Sequence, residues 1–168
     1  MSSFLGIDLG TTFSAMATID DSGRPVIVHN SEGENITPSC VTEEGGTVEV
    51  GEFARRAWGA DETSAAARFK REMGADTEYM LNGHSFNSVE LSSFVLKKLA
   101  QDAKKVLGEI GEVVVTIPAN FSNDARDATM QAAKKAGLNV NYIINEPTAA
   151  ALFYAHKNGG DFHGNYAV

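Results

Sequence analysis

The first thirty residues predict a three-stranded meander, and this constrains the fold more than any other stretch. Residues 3–8 and 12–20 are rich in β-forming side chains and are joined by Leu9-Gly10-Thr11-Thr12, so they predict an antiparallel hairpin. Residues 25–28 predict a third strand after a turn at Asp20-Asp21-Ser22-Gly23. One carboxylate, Asp8, stands at the end of a strand that otherwise looks buried. The surroundings of this charged side chain therefore need an explanation.

The second half of the chain alternates between strand and helix patterns. The predicted elements are a strand at 113–117 buried on both faces, a helix at 123–136, a buried strand at 142–144, a helix at 148–157 and a strand beginning at 165–168. Three meandering strands followed by this alternation predict the α/β class, with a mixed sheet and helices on both faces.

The middle of the chain predicts a smaller sub-domain at about 31–110, leaving about 1–30 and 111–168 as the core sub-domain. Its predicted elements are a loop at 30–38, a hairpin formed by 39–42 and 48–50, a helix at 52–59, an Ala-rich helix at 62–69, a loop at 75–86 and a long helix after residue 87. Asn87 and Glu90 have the spacing of a capping box at the start of that helix, and Phe86 and Leu91 that of a hydrophobic staple.

Composition and charge exclude several classes of function. The net charge is -8 and no Lys or Arg block forms a stripe, which argues against nucleic acid and anionic membranes as partners. The single cysteine, Cys40, permits no intramolecular disulfide and predicts a small core residue. No apolar run approaches the roughly 18 residues of a membrane helix, and no signal peptide is recognisable, so a cytoplasmic location is expected.

The hairpin turn has the chemistry of a phosphate site. Gly10 lets a phosphate approach the main chain, and the amides after it, with the hydroxyls of Thr11 and Thr12, form a donor set for phosphate oxygens. Asp8 beside them is suited to a hydrated Mg²⁺, and in that case its charge faces a cleft. An ordinary hairpin turn with an edge carboxylate explains the same residues. The common phosphate-loop patterns are absent, so a phosphate site here is of another kind.

Other charged residues have simpler interpretations when each is taken alone. Lys70 and Arg71 are interpreted as cations at a helix C-terminus, and Glu146 as a carboxylate at a helix start. Arg126 is interpreted as a solvated charge on its helix. The four histidines are scattered without metal-ligand spacing, and no serine has the setting of a hydrolase nucleophile.

Four segments together are more specific than any one of them. The segments are GIDLGTTFS at 6–14, FKREMG at 69–74, TIPANFSNDAR at 116–126 and INEPTAAAL at 144–152. In this order they strongly resemble the nucleotide-binding domain of the heat shock protein 70 family, the DnaK-type chaperones. GIDLGTT alone is shared with sugar kinases and actin-like filament proteins, which remain the alternatives. The resemblance implies the actin-like, ribonuclease H-like ATPase fold, with two lobes around an ATP cleft.

The resemblance also implies roles for individual residues. Gly10, Thr11, Thr12 and Phe13 match the first phosphate loop, and Asp8 matches a carboxylate that holds Mg²⁺ through water. Lys70 matches the lysine that reaches the γ-phosphate and the attacking water, and Glu146 matches the carboxylate that places the metal and that water. Pro118 and Arg126 match residues of an interdomain relay. It assigns catalysis to Thr11, Lys70 and Glu146. The implied ligands are ATP or ADP with Mg²⁺, and the implied partners are client peptides, a J-domain co-chaperone and a nucleotide exchange factor.

The chain departs from the family pattern in three places. The stretch between Lys70 and Phe86 is short, which implies a trimmed small sub-domain and is similar to the HscC type. Asn120 replaces an aromatic residue. The sequence stops at NYAV, before the second phosphate loop, so we expect a truncated first lobe that lacks the second lobe and the peptide-binding domain. Such a lobe is expected to bind nucleotide weakly, to have negligible turnover and to self-associate. An interaction module without hydrolysis is a further alternative.

Overall fold

The computed structural model describes residues 3–159, which form eleven strands and four α-helices. The strands are β1 (Ser3–Asp8), β2 (Phe13–Ile19), β3 (Pro25–Val28), β4 (Ile36–Pro38), β5 (Cys40–Glu44), β6 (Thr47–Val50), β7 (Ala65–Ala67), β8 (Glu78–Leu81), β9 (His84–Asn87), β10 (Ile110–Ile117) and β11 (Val140–Asn145). The helices are α1 (Glu52–Ala60), α2 (Ser88–Leu107), α3 (Asn123–Lys135) and α4 (Glu146–Lys157), with a short 3₁₀ helix at Phe69–Glu72. Within these residues, no helix is both long enough and apolar enough to span a membrane.

A six-stranded mixed sheet is the centre of the fold, as the order of predicted elements indicated. Its strand order is β11-β10-β1-β2-β3, and β4 also pairs with β2. Strand β10 runs parallel to β1 and β11, whereas β2 runs antiparallel to β1, β3 and β4. Helices α2 and α3 pack on one face with the main hydrophobic core, and α4 lies against β10 and β11 on the other. The predicted α/β class and mixed sheet are therefore confirmed.

Helix α2 begins at the predicted capping box. The side chain of Asn87 accepts a hydrogen bond from the Glu90 amide (2.9 Å), and Glu90 Oε2 accepts one from the Asn87 amide (3.2 Å). These two bonds satisfy amides that the first helical turn leaves unpaired. From this start the helix buries Leu91, Val95 and Leu99 completely in the core.

The predicted Ala-rich helix at 62–69 is wrong. Residues Ala65–Ala67 instead form β7, which pairs antiparallel with β5. Ala65 and Ala66 are buried, and Thr42 donates a hydrogen bond to the Ser64 carbonyl beside them (2.6 Å). The small alanine side chains fit this packed position, so tertiary contacts override their high helix propensity.

The predicted loops at 75–86 and 30–38 are wrong in part. The first contains the hairpin of β8 and β9, whose two turn residues, Asn82 and Gly83, have φ of 48° and 84°. Asn-Gly is the preferred sequence for a two-residue turn with positive φ at both positions, so this signal was present in the sequence. The second loop ends in the short strand β4, which pairs with β2.

The prediction that β10 and β11 are buried on both faces is also wrong. In β10 the odd-numbered residues Val113, Val115 and Ile117 are buried, while Val114 between them is only half-buried. In β11 the side chain of Tyr142 is 72% exposed. Among the described residues only α4 lies on the second face, so the strands alternate in burial. The strand predicted at 165–168 lies outside the described residues.

Candidate functional site

Asp8 is held by the neighbouring parallel strand. Thr116 Oγ1 donates a hydrogen bond to Asp8 Oδ1 at 2.7 Å, and these residues lie near the carboxyl ends of β1 and β10. The Asp8 side chain is exposed on the face of the sheet that carries α4. Ligands of α/β sheets bind outside the carboxyl ends of strands, so this is the expected place for a charge that faces a cleft.

The turn between β1 and β2 is tied down by serine hydroxyls. The Gly10 amide donates to Ser14 Oγ (3.2 Å), and Ser14 Oγ is hydrogen-bonded to Ser39 Oγ (2.9 Å). The Ser39 amide donates to the carbonyl of Thr12 (2.9 Å), so residues 10–12 are anchored at both ends. A Cβ added at Gly10 would lie 1.9 Å from the Phe13 carbonyl oxygen, so any side chain there would force the turn to move.

Ser14 and Ser39 support this turn but were not among the predicted site residues. Both are buried, at 1% and 3% exposure. The only sequence signal was a polar residue at an inward-facing strand position and another 25 residues later, and nothing in that spacing indicates that their hydroxyls meet.

Lys70 is a buried cation whose partner is Glu146. It lies in the 3₁₀ helix, and its side chain is 5% exposed. Lys70 Nζ is 2.6 Å from Glu146 Oε1 and 5.7 Å from the centroid of the Phe121 ring. Glu146 is the first residue of α4, and its side chain is 39% exposed. The structure thus places a buried ammonium group against a carboxylate that is open to solvent on its other side.

Four of the predicted phosphate and metal residues line two concave surfaces, whereas Gly10, Thr12 and Phe13 line neither of them. Thr11, Lys70 and Pro118 line a groove of about 420 Å³. Asp8 and Glu146 line a wider apolar concavity of about 600 Å³ on the open face of the sheet. The contact between Lys70 and Glu146 joins the two surfaces. Three segments distant in sequence, around 8–13, 70 and 146, are therefore brought together.

Pro118 and Arg126 are connected to this place through Phe121 and Asn145. The Phe121 amide donates to the Pro118 carbonyl (3.2 Å) and Arg126 Nε donates to the Phe121 carbonyl (3.4 Å). Arg126 Nη2 donates to Asn145 Oδ1 (3.0 Å), directly before Glu146 in the chain. The interpretation of Arg126 as a solvated charge is therefore wrong, because its guanidinium links α3 to the end of β11.

The site suits a phosphorylated ligand better than a directly bound metal. Within residues 3–159 no three His, Cys, Asp or Glu side chains are close enough to ligate a metal ion together. Mg²⁺ keeps several water ligands and needs few carboxylates, so Asp8 and Glu146, which line the same concavity, would suit a hydrated ion.

The only cysteine of the chain takes no part in this site. Cys40 is 3% exposed and packs with Ala54 and Ala65. Burial raises the pKa of its thiol to about 11, so the reactive thiolate is scarce at neutral pH. This confirms its interpretation as a core residue.

Comparison with protein families gives a match over nearly the whole chain. The family model described as Hsp70 protein matches residues 4–81 and 75–162. The two matched segments include all the residues of the site, from Asp8 to Glu146.

Proposed function

The chain belongs to the Hsp70 family, and we propose that it is the ATP-binding lobe of a molecular chaperone that hydrolyses ATP to switch a peptide-binding domain. Members of this family are ATPases that bind ATP or ADP with Mg²⁺. The mixed sheet and four helices are consistent with the actin-like ATPase lobe of the family. The family match argues against a sugar kinase or a filament-forming protein of the same fold.

The observation that carries this proposal is the contact between Lys70 and Glu146. Burying an ammonium group is costly unless a charge or hydrogen bond compensates it. Here one carboxylate, 76 residues away in sequence, supplies that compensation beside the groove that Thr11 lines. A buried cation at the edge of a groove lined by hydroxyls is suited to receive the terminal phosphate of a nucleotide.

The proposed mechanism is in-line attack of water on the terminal phosphate, with positioning and charge neutralisation as the main contributions. The amides and hydroxyls of residues 10–13 bind the phosphates, and Lys70 neutralises charge on the terminal one. Glu146 orients the attacking water, and Asp8 and Glu146 would hold a hydrated metal ion. Mg²⁺, when bound, neutralises charge on the phosphate oxygens.

Several finer assignments belong to the same proposal. Pro118 and Arg126 relay the nucleotide state, and the hydrogen bond from Arg126 to Asn145, beside Glu146, supports this assignment. The lobe consists of a core sub-domain at about 1–30 and 111–168 and a small sub-domain at about 31–110. The short stretch before Phe86 supports the HscC type. A cytoplasmic location, client peptides, a J-domain co-chaperone and an exchange factor follow from the proposed chaperone role.

The 168-residue chain is proposed to bind nucleotide weakly and to have negligible turnover. The donors assigned above, from residues 10–13 and Lys70, are all assigned to phosphate groups, and the proposal assigns none to the base. Titration of the isotope-labelled chain with ATP and Mg²⁺, followed by NMR, is expected to shift the amides of residues 8–13 and 70 with millimolar affinity. Lys70→Ala is expected to weaken this binding by about tenfold, as for loss of one charge-assisted contact.

Lys97→Ala is the matched control for this titration. Lys97 is an exposed lysine of α2, away from both concave surfaces. It is expected to bind ATP like the unaltered chain. Micromolar affinity would contradict the proposal of weak binding. Shifts that avoid residues 8–13, or equal effects of the two lysine substitutions, would contradict the proposed site.

A further inference from the structure

A buried serine, Ser39, lies where the chain passes from the central sheet into a second sheet. It follows Pro38, the last residue of β4, and precedes Cys40, the first residue of β5. Strand β4 pairs with the central sheet, whereas β5 is the middle strand of a three-stranded sheet with β6 and β7. Ser39 is 3% exposed, and burial of a hydroxyl is unfavourable unless a hydrogen bond compensates it. Its hydrogen bonds therefore indicate what the residue does at this junction.

Both polar groups of Ser39 reach residues 10–12, the turn between β1 and β2 that is here called the phosphate turn. The Ser39 amide donates to the Thr12 carbonyl, and the Ser39 hydroxyl is hydrogen-bonded to Ser14 Oγ, each at 2.9 Å. Ser14 Oγ also accepts a hydrogen bond from the Gly10 amide at 3.2 Å. Through these contacts one buried residue constrains both ends of the phosphate turn.

The contact with Thr12 determines in which direction the next amide points. No peptide bond within residues 3–159 is cis, so the Thr12 carbonyl and the Phe13 amide point in opposite directions. Because the buried Ser39 amide holds the carbonyl, the Phe13 amide points away from Ser39. A carbonyl oxygen that faced the ligand would repel phosphate oxygens, whereas outward amides attract them. The orientation that Ser39 imposes therefore favours an anion at the turn.

The middle of the phosphate turn keeps its donors available. Thr11 forms no hydrogen bond to any other residue in the described part of the chain, so its amide and hydroxyl are available to a ligand. It lines the same groove as Lys70. The Gly10 amide, by contrast, is already bound to Ser14 Oγ. The two serines thus bind the ends of the turn and leave its centre to phosphate oxygens.

The same junction connects the phosphate turn to the segment that carries Lys70. Strand β5 begins directly after Ser39, and its first residue, Cys40, pairs with Ala67 at the end of β7. The 3₁₀ helix that contains Lys70 follows shortly after β7. The contacts of Ser39 therefore hold the phosphate turn to the strand that also supports Lys70.

A purely structural purpose is not sufficient to explain a hydroxyl at this position. The next residue, Cys40, is equally buried and packs against Ala54 and Ala65, so apolar packing is available to this segment. Replacement of a buried hydroxyl pair by apolar side chains of the same shape can be nearly neutral for stability. Apolar side chains would not supply the hydrogen bond that fixes Ser14 Oγ against the Gly10 amide.

We propose that Ser39 is a positioning residue for phosphate binding, which acts on Thr12 directly and on Gly10 through Ser14. This role rests on the proposed function, because it names what orients the phosphate turn within that site. It goes beyond that function by making nucleotide affinity depend on a residue that contacts no part of the ligand.

The test is an NMR titration of the isotope-labelled 168-residue chain with ATP and Mg²⁺, and separately with inorganic triphosphate and Mg²⁺. Ser39→Ala is expected to weaken the binding of both ligands about fivefold, a factor within the range of one lost hydrogen bond. The amide signals of Gly10 and Thr12 are expected to shift before any ligand is added. An equal loss for both ligands assigns the effect to phosphate contacts, because triphosphate carries no base.

Thr42→Val is the matched control for a merely structural role. Thr42 is a buried residue of β5, and its hydroxyl donates to the Ser64 carbonyl at 2.6 Å. The substitution removes a buried hydroxyl from the same strand without touching the phosphate turn. It is expected to lower the urea midpoint of unfolding at least as much as Ser39→Ala does, and to leave the affinity for both ligands unchanged.

Ser14→Ala tests the route from Ser39 to Gly10. It is expected to weaken phosphate binding at least as much as Ser39→Ala, because it removes the acceptor of the Gly10 amide itself. Adding Ser39→Ala to Ser14→Ala is expected to weaken binding no further, since the two hydroxyls act as one unit.

The outcomes separate this role from the proposed function. Absence of ATP-induced shifts in the unaltered chain would overturn the proposed function and the role of Ser39 with it. Normal binding by Ser39→Ala, when the unaltered chain binds ATP, would overturn only the role of Ser39. Equal losses of affinity in Ser39→Ala and Thr42→Val, or losses that multiply in the double variant, would also overturn it.

Discussion

The two faces of the central sheet differ sharply, although their side chains come from alternate residues of the same strands. On the face that α2 and α3 cover, here called the closed face, each side chain of one row across neighbouring strands is at most 3% exposed: Val28, Met16, Ile7 and Val115. The next row is open, with Ile27 51% and Tyr142 72% exposed at its ends: Ile27, Ala17, Gly6, Val114 and Tyr142. A shift of one residue along the strands separates the closed face from the open face.

The difference teaches that the main hydrophobic core and the apolar concavity beside Asp8 and Glu146 lie on opposite faces of the sheet. Helices α2 and α3 cover the closed face, and both contribute buried side chains to the main hydrophobic core. On the open face only α4 is present among the described residues, and Asp8 and Glu146 border its concavity. A surface that binds a polar ligand has to stay accessible, so it contributes less to the core.

The largest expected effect comes from truncating matched isoleucines on the two faces. Ile7→Ala is expected to lower the free energy of unfolding by about 2–5 kcal/mol, because it leaves a cavity in a packed row. Ile27→Ala is expected to lower it by about 1 kcal/mol or less, since that side chain is half exposed on edge strand β3. Urea unfolding followed by circular dichroism measures both. Equal losses would show that the two faces contribute equally to the core.

A smaller loss of stability is expected when alanine replaces Gly10, in the turn after β1, or Gly6, on the open face. Gly10→Ala is expected to cost about 1–3 kcal/mol, because its Cβ collides with the Phe13 carbonyl oxygen and the turn has to move. Gly6→Ala is expected to stay within about 0.5 kcal/mol, as its Cβ would lie 3.7 Å from the nearest atom, the Ala17 oxygen.

Thermal unfolding and the ATP titration together decide this prediction. Only Gly10→Ala is expected to remove the shifts of residues 8–13. If Gly10→Ala is as stable as Gly6→Ala and binds ATP normally, the turn is not constrained as described.

The smallest expected effect is a pH dependence of stability that comes from a carboxylate on α2, a helix that covers the closed face. Asp102 on α2 is 3% exposed, and Lys98 Nζ lies 2.7 Å from its Oδ2. Burial opposes ionisation of Asp102, but hydrogen bonds from Lys98 and Ser31 outweigh it and lower the pKa of this carboxyl below 3.8. A lowered folded-state pKa contributes stability that is complete above the unfolded-state value and is lost as the pH falls through the folded-state value.

Urea unfolding at pH values from about 6 to about 2 measures this contribution, because carboxyl groups titrate within roughly this range. Asp102→Asn is expected to flatten the loss of stability on acidification. Lys105→Ala removes only the longer contact to Asp102 (3.3 Å) and is expected to leave the acid limb almost unchanged. An acid limb in Asp102→Asn as steep as in the unaltered chain would assign the pH dependence to other carboxylates.

Local sequence patterns correctly predicted those elements in which the intrinsic preferences of the residues agree with the tertiary contacts that the residues make. The hairpin of β1 and β2, the capping box at Asn87 and the helix ended near Gly137 follow from periodicity, caps and turns. The helix predicted over Ala65–Ala67 failed because alanine's propensity is weak against the packing of β5. The hairpin at Asn82-Gly83, which is absent from the predicted elements, is encoded by its two turn residues.

The candidate site was predicted as a set of residues but not as an arrangement. A resemblance between motifs pointed to Asp8, Lys70 and Glu146, while local patterns gave each a plain interpretation. Neither states that Lys70 Nζ meets Glu146 Oε1 or that Ser14 and Ser39 share a hydrogen bond. Such contacts join residues 76 and 25 positions apart, and no local pattern encodes that distance.

By itself the sequence determined the alternation of apolar and polar side chains, the caps and the turns, because these depend on neighbours along the chain. Only the tertiary structure decided which face of the sheet was covered, that three alanines became a strand and that Lys70 was buried against Glu146. The physical reason is that burial and ion pairing depend on which segments meet in space, and that is settled only when the whole sheet and its helices pack together.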